Sequence, residues 1–178
     1  MEQRGAAIEL RAKGRKLEGF AALYGVETRV SDASRGTFRE TIRAGAFADS
    51  LKGDVLALRD HDPARLLART RSGTLRLGSD SKGLPFEIDL PDTTEGRDTL
   101  AMAERGDLGG MSFGFDVPAG GDAWNGDRRE LRTVRLHEIS VVTAWPAYPG
   151  TVVNARSGLY DGRLGPLLAR RYLDTLGA

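Results

Sequence analysis

The heptapeptide Gly109-Gly110-Met111-Ser112-Phe113-Gly114-Phe115 ("GGMSFGF", 109–115) sets one serine inside an apolar, strand-like run. Met111, Phe113 and Phe115 share one parity, and Ser112 and Gly114 share the other. In an extended strand the three large side chains therefore face a core, and Ser112 and Gly114 are expected to face outward together. A glycine inside a strand weakens it and often marks a close approach by a ligand or a second backbone. Taken alone, the stretch reads first as an ordinary edge strand whose polar face carries a serine.

Working outward, further strand-like runs are "AAIEL" (6–10), "GFAALYG" (19–25), "DVLALRDH" (54–61), "TLRLGS" (74–79), "LPFEIDL" (84–90) and "RTVRLHEISVVT" (132–143). Turn signals such as "KGRK", "RSG" and "DSKG" separate them. Helices are expected over "AGAFADSL" (44–51), ended by Gly53, and over "TEGRDTLAMAERGD" (94–107), ended by Gly106. A third helix, "GPLLARRYLDTL" (165–176), places Pro166 in its first turn and aligns Leu168, Tyr172, Leu173 and Leu176 in one stripe. That stripe either packs on the rest of the domain or docks onto a partner. Gly120 to Asp127 reads as a loop-like insertion. The pattern predicts an α+β domain: a β-rich barrel or strongly curved, mostly antiparallel sheet with a few surrounding helices. Residues 1–155 form that domain, and residues 156–178 a carboxy-terminal tail and helix.

Composition narrows the function. The chain has 178 residues, enough for one well-packed core, with 40% hydrophobic and 29% charged residues. A net charge of +1 argues against nucleic acid as the main partner, since phosphate binding usually requires a basic patch. The absence of cysteine excludes disulfides, thiolate nucleophiles and cysteine-ligated metals. The opening "MEQRGAAIEL" lacks the apolar centre of a signal peptide, and no run is long enough to span a bilayer. An intracellular protein without cofactor, metal or membrane partner is expected.

His61 and His137 are the only histidines. His61 lies at the end of an apolar strand in "LALRDHDPARLLART", just before a turn marked by Pro63. Imidazoles titrate at about 6.5 when unperturbed, which suits proton exchange at neutral pH. A solvated turn histidine fits the same pattern, and the His61-Asp62 pair also fits a metal-dependent hydrolase that would need further histidines. In "VRLHEISVV", parity puts His137 with Ile139 and Val141 on an apolar face, and Glu138 with Ser140 on a polar one. A glutamate within so apolar a strand requires a partner or a task, such as orienting a histidine; a solvated sheet face is the alternative.

These blocks together resemble the prohead proteases of tailed bacteriophages and gene transfer agents, a family related in fold to the herpesvirus capsid-maturation protease. The resemblance rests on "GFAALYG", on the glycine-alanine-phenylalanine signature in "RAGAFADSL", and on the histidine strand "LALRDHDPARLLART". It continues through the hairpin "SGTLRLGSDSKGLPFEIDLPDT" and the helix running into the serine strand, "GRDTLAMAERGDLGGMSFGF". It ends on the acid strand and turn, "LHEISVVTAWPAYPGT", so that six ordered blocks cover residues 18 to 152. Two departures are Ala68-Arg69, where the family usually has glycine-arginine, and Ala44, where a proline often stands.

The resemblance implies a serine endopeptidase with Ser112 as nucleophile, His61 as general base and Glu138 as third triad member. His137 is the rival for that third place, because the herpesvirus relatives use a second histidine there. It further implies cleavage of the major capsid protein's amino-terminal or scaffolding segment, and of the enzyme itself, inside an immature capsid in the bacterial host cytoplasm. Oxyanion donors are expected from the Ala68-Arg69 loop or the "PAYPG" turn (146–150). A homo-oligomer is a further possible partner state. The competing readings are an inactive assembly protein of the same fold and the metal-dependent hydrolase.

Overall fold

A computed structural model describes residues 1–6, 11–32 and 35–144. In chain order the strands are β1 (Glu2–Ala6), β2 (Arg11–Lys13), β3 (Lys16–Leu23), β4 (Thr28–Asp32), β5 (Gly36–Ile42), β6 (Leu56–Arg59) and β7 (Asp62–Arg69). There follow β8 (Leu75–Leu77), β9 (Gly83–Asp89), helix α1 (Thr94–Arg105), β10 (Gly110–Asp116), β11 (Asp122–Asn125), β12 (Arg128–Leu131) and β13 (Arg135–Val142). They build three sheets, ordered β1-β10-β13-β6-β7, β2-β3-β9-β8 and β11-β12-β5-β4. All pairings are antiparallel except β13 with β6 and β12 with β5.

The expected barrel is corrected to these separate sheets; no closed barrel forms among the described residues. The strand-rich, mostly antiparallel character holds, with α1 the one α-helix described. The helix expected over residues 44–51 is instead a run of tight turns ending in a 3-10 turn, Ser50–Lys52. Its bonds mostly reach back three residues: Ala46 N–H to Arg43, Ala48 to Gly45, Ser50 to Phe47 and Lys52 to Asp49. Gly45 starts the run with a left-handed φ of 84°, and the carbonyl of Ala46 accepts from Val134 N–H, tying the turns to the entry of β13. Gly120 to Asp127, read as a loop, contributes most of the β11–β12 hairpin, closed by a two-residue turn at Gly126-Asp127. The strand expected at 6–10 falls largely outside the described residues, as do the helix at 165–176 and the tail from residue 156.

The predicted apolar face of β10 is where the core forms. Met111, Phe113 and Phe115 are fully buried, and Phe113 packs edge-on against Phe47 with ring centroids 5.6 Å apart. Each such side chain contributes roughly 1.5–3 kcal/mol of apolar burial. The glycine-alanine-phenylalanine signature thus supplies a core ring rather than a helix entry.

A second, charged interior lies between β1, β5, β11 and β12. Glu40 and Arg129 are buried, 3.0 Å apart, and Arg4 reaches Glu40 at 2.6 Å. Glu2 and Asp122 complete the network on Arg129 at 2.6 and 2.7 Å. Burial alone would make Arg129 easier to deprotonate, but its bonds to Glu2 and Asp122 outweigh that and hold its charge more firmly than usual. Pairs like these matter because removing one partner strands a buried charge, which costs about 3–5 kcal/mol. They fix β1 along the edge of β10, beside Ser112.

Candidate active site

Four side-chain positions on the adjacent strands β10 and β13 define the site. Ser112 lies opposite Ser140, and Gly114 opposite Glu138, all on the face away from the aromatic core. The expected polar face therefore exists, but it is covered rather than open: Ser112 is 5% exposed and Glu138 3%. The His61 imidazole and the Met1 side chain lie on it. Gly114 is needed for this packing, because a Cβ there would run into Glu138 Oε1 and stand 3.0 Å from Met1 Sδ. The glycine expected to admit a substrate backbone makes room for a carboxylate instead.

His61 arrives from the neighbouring hairpin. β6 and β7 are joined by a two-residue turn in which Asp60 and His61 take left-handed φ values of 53° and 60°. Hairpin turns of this kind favour Asn-Gly, and non-glycine residues resist the conformation. Here both residues are tied to β13. Asp60 Oδ1 accepts the Thr143 N–H at 2.8 Å and the Thr143 hydroxyl at 2.9 Å, and the His61 N–H donates to Ser140 Oγ at 3.2 Å. Pro63, read as a turn marker, belongs to β7, an edge strand that tolerates a missing N–H.

From this turn His61 Nδ1 lies 2.8 Å from Glu138 Oε1, while Glu138 Oε2 accepts the Ser140 hydroxyl at 2.6 Å. An ionised carboxylate only accepts, so the contact sets the tautomer with the proton on Nδ1 and a lone pair on Nε2. The Ser112 hydroxyl donates to the Arg4 carbonyl of β1 at 2.8 Å. The structure thus brings His61 and Glu138 into contact and places Ser112 one cross-strand position from Ser140. The turn is braced from the other side by α1, whose Glu95 lies 2.9 Å from Arg59 and 3.0 Å from Arg65. Burial would raise Glu95, yet the hydrogen bonds and charges of Arg65 and Arg59 keep it below the usual glutamate range.

His137 does not share the apolar face expected of it. The pairing of β10 with β13 slips between Gly114 and Phe115, so that Glu138 faces Gly114 and Leu136 faces Phe115. His137 is the extra residue of this bulge and swings to the rim, 2.7 Å from Asp116. Its hydrogen bond, together with that of the Met1 amino group, holds Asp116 below the usual aspartate range. Of the oxyanion donors expected from sequence, the Arg69 N–H is already given to Thr74 Oγ1, and its guanidinium is committed to Asp54. The turn at 146–150 lies outside the described residues. Asp62, the would-be metal partner of His61, accepts instead from the Ala64 N–H at 2.9 Å.

The sequence model of the caudovirus prohead serine protease family matches residues 6–161, a span that includes His61, Ser112 and Glu138. The chain belongs to this family. It is therefore a serine protease, and its work is capsid maturation within the bacteriophage prohead, where capsid proteins are the substrates. The resemblance drawn from the six sequence blocks is borne out. No curated protein and no solved structure matches the chain, so the herpesvirus-like fold stays an expectation of the resemblance. No described helix of the protease is long and apolar enough to cross a membrane.

The packing of Glu138 against Gly114 makes a direct test of the site. Gly114→Ala is expected to push the Glu138 carboxylate off His61 and lower kcat by roughly 10²-fold, the cost of a misplacement of about 1 Å. Capsid-protein cleavage kinetics beside a thermal melt check it. A folded variant with unchanged kcat would show that the carboxylate's place is immaterial.

Proposed function

We propose that Ser112, His61 and Glu138 act as the catalytic triad of this protease, and that it removes the amino-terminal or scaffolding segment of the major capsid protein. The observation carrying the reading is the 2.8 Å contact between His61 Nδ1 and Glu138 Oε1, on the face that also bears Ser112. In this scheme the Ser112 hydroxyl exchanges the Arg4 carbonyl for His61 Nε2 as its acceptor. Ser112 Oγ attacks the scissile carbonyl, and His61 takes the serine proton. As the tetrahedral intermediate collapses, the C–N bond breaks and His61 returns the proton to the leaving amine. Water then repeats the sequence on the acyl-enzyme. Glu138 holds the tautomer and balances the imidazolium formed at each step.

Confinement supplies the control. Packaged with its substrate, the enzyme meets cleavage sites at effective concentrations of about a millimolar, as short tethers provide, so a modest catalyst suffices. Self-cleavage inside the shell belongs to the same reading.

Co-expression with the neighbouring major capsid protein, followed by mass measurement of that subunit, tests the proposal. The expected result is a shell whose subunits lack an amino-terminal segment, with little peptide cleavage by dilute purified enzyme. Shells whose subunits keep an intact amino terminus would overturn the substrate assignment.

A further inference from the structure

We propose that Ser140 is a positioning residue that locks His61 and Glu138 together; the inference deepens the triad reading and rests on it. Ser140 is fully buried in β13, directly across from Ser112. Its single hydroxyl works in both directions. It accepts the His61 backbone N–H at 3.2 Å and donates to Glu138 Oε2 at 2.6 Å. Because Glu138 Oε1 is 2.8 Å from His61 Nδ1, the three residues close a ring of hydrogen bonds. One corner of that ring is the histidine backbone and another its imidazole, so Ser140 fixes the ring's origin and its direction at once.

The backbone makes such an anchor necessary. Asp60 and His61 both sit in left-handed conformations that non-glycine residues avoid, and the turn they form is free to relax unless something holds it. The Asp60–Thr143 bonds hold the first residue, and Ser140 holds the second. An alanine at 140 leaves the His61 N–H without its acceptor and Glu138 Oε2 without its donor, in a buried setting where both losses count. The imidazole then loses its aim while Ser112, His61 and Glu138 all remain.

The test uses the whole chain and two readouts. With only two histidines in the sequence, the low-field Nδ1–H resonance of His61 is assigned by its absence from His61→Gln. Ser140→Ala is expected to lose or broaden that resonance and to lower kcat by roughly a hundredfold, with KM changed by less than about twofold. Ser140→Thr, which keeps the hydroxyl, is expected to restore the resonance and part of the rate. Ser140→Cys keeps the volume and weakens both bonds, and carries the same expectation as alanine if the alanine variant does not fold. A folded Ser140→Ala that retains the resonance overturns the proposal, whether or not its activity falls. If the resonance responds as expected while Ser112→Ala cleaves capsid protein at the wild-type rate, the positioning stands and the triad reading fails.

Discussion

Ser112→Ala is expected to reduce capsid-protein cleavage by roughly 10⁶-fold in kcat, the loss seen when a triad forfeits its nucleophile. The fold supplies the reason to expect so specific an effect. Ser112 contributes nothing to the aromatic core, which belongs to Met111, Phe113 and Phe115 on the opposite face of β10. Its hydroxyl donates to the Arg4 carbonyl, and giving that bond up costs about 1 kcal/mol of stability. β1 stays in place through its ladder with β10 and through Arg4 on Glu40. The variant should therefore melt close to the wild type and still enter shells. Wild type and variant run side by side on a gel give the answer, and cleavage by the variant at a near wild-type rate would remove Ser112 from the mechanism.

What was legible in the sequence follows the chemistry of each strand's buried face. β3, β9, β10 and β13 bury mainly apolar residues and could be read directly. β5 could not, because its inward positions are Phe38, Glu40 and Ile42, and a buried glutamate breaks the apolar alternation. Its partners Arg4 and Arg129 lie 36 and 89 residues away, and no local pattern announces such a triplet. The β11–β12 hairpin was hidden the same way: of its two buried residues, Arg129 and Leu131, one is charged.

The site was more legible than its geometry. Histidine scarcity and the serine's parity singled out residues that the fold brings onto neighbouring elements, and Ser140 was visible on Glu138's face. Two features escaped. Asp60-His61 lacks the usual Asn-Gly of a two-residue hairpin, because tertiary bonds to β13 hold the turn in place of local preference. The bulge at His137 shifts parity by one, and only the pairing with β10 reveals it.

That bulge separates the two candidates for the third catalytic place, and so sets the sharpest comparison. Glu138→Gln is expected to lower kcat by about 10⁴-fold, as in the triad template when the acid becomes its amide. The half-buried imidazolium loses its counter-charge, and the amide can present NH₂ to Nδ1, which puts the proton on the wrong nitrogen. Shape and volume are unchanged, so the melting temperature should hardly move. His137→Ala removes a half-exposed contact with Asp116 on the rim, an interaction worth no more than about 1 kcal/mol once solvent screening is counted. Its kcat should stay at the wild-type level. Cleavage rates and melts for the two variants, measured on the same capsid substrate, decide the matter. The opposite ranking would hand the role to His137, and would require the β10–β13 register to differ from the one described, since in this register His137 and His61 have no shared face.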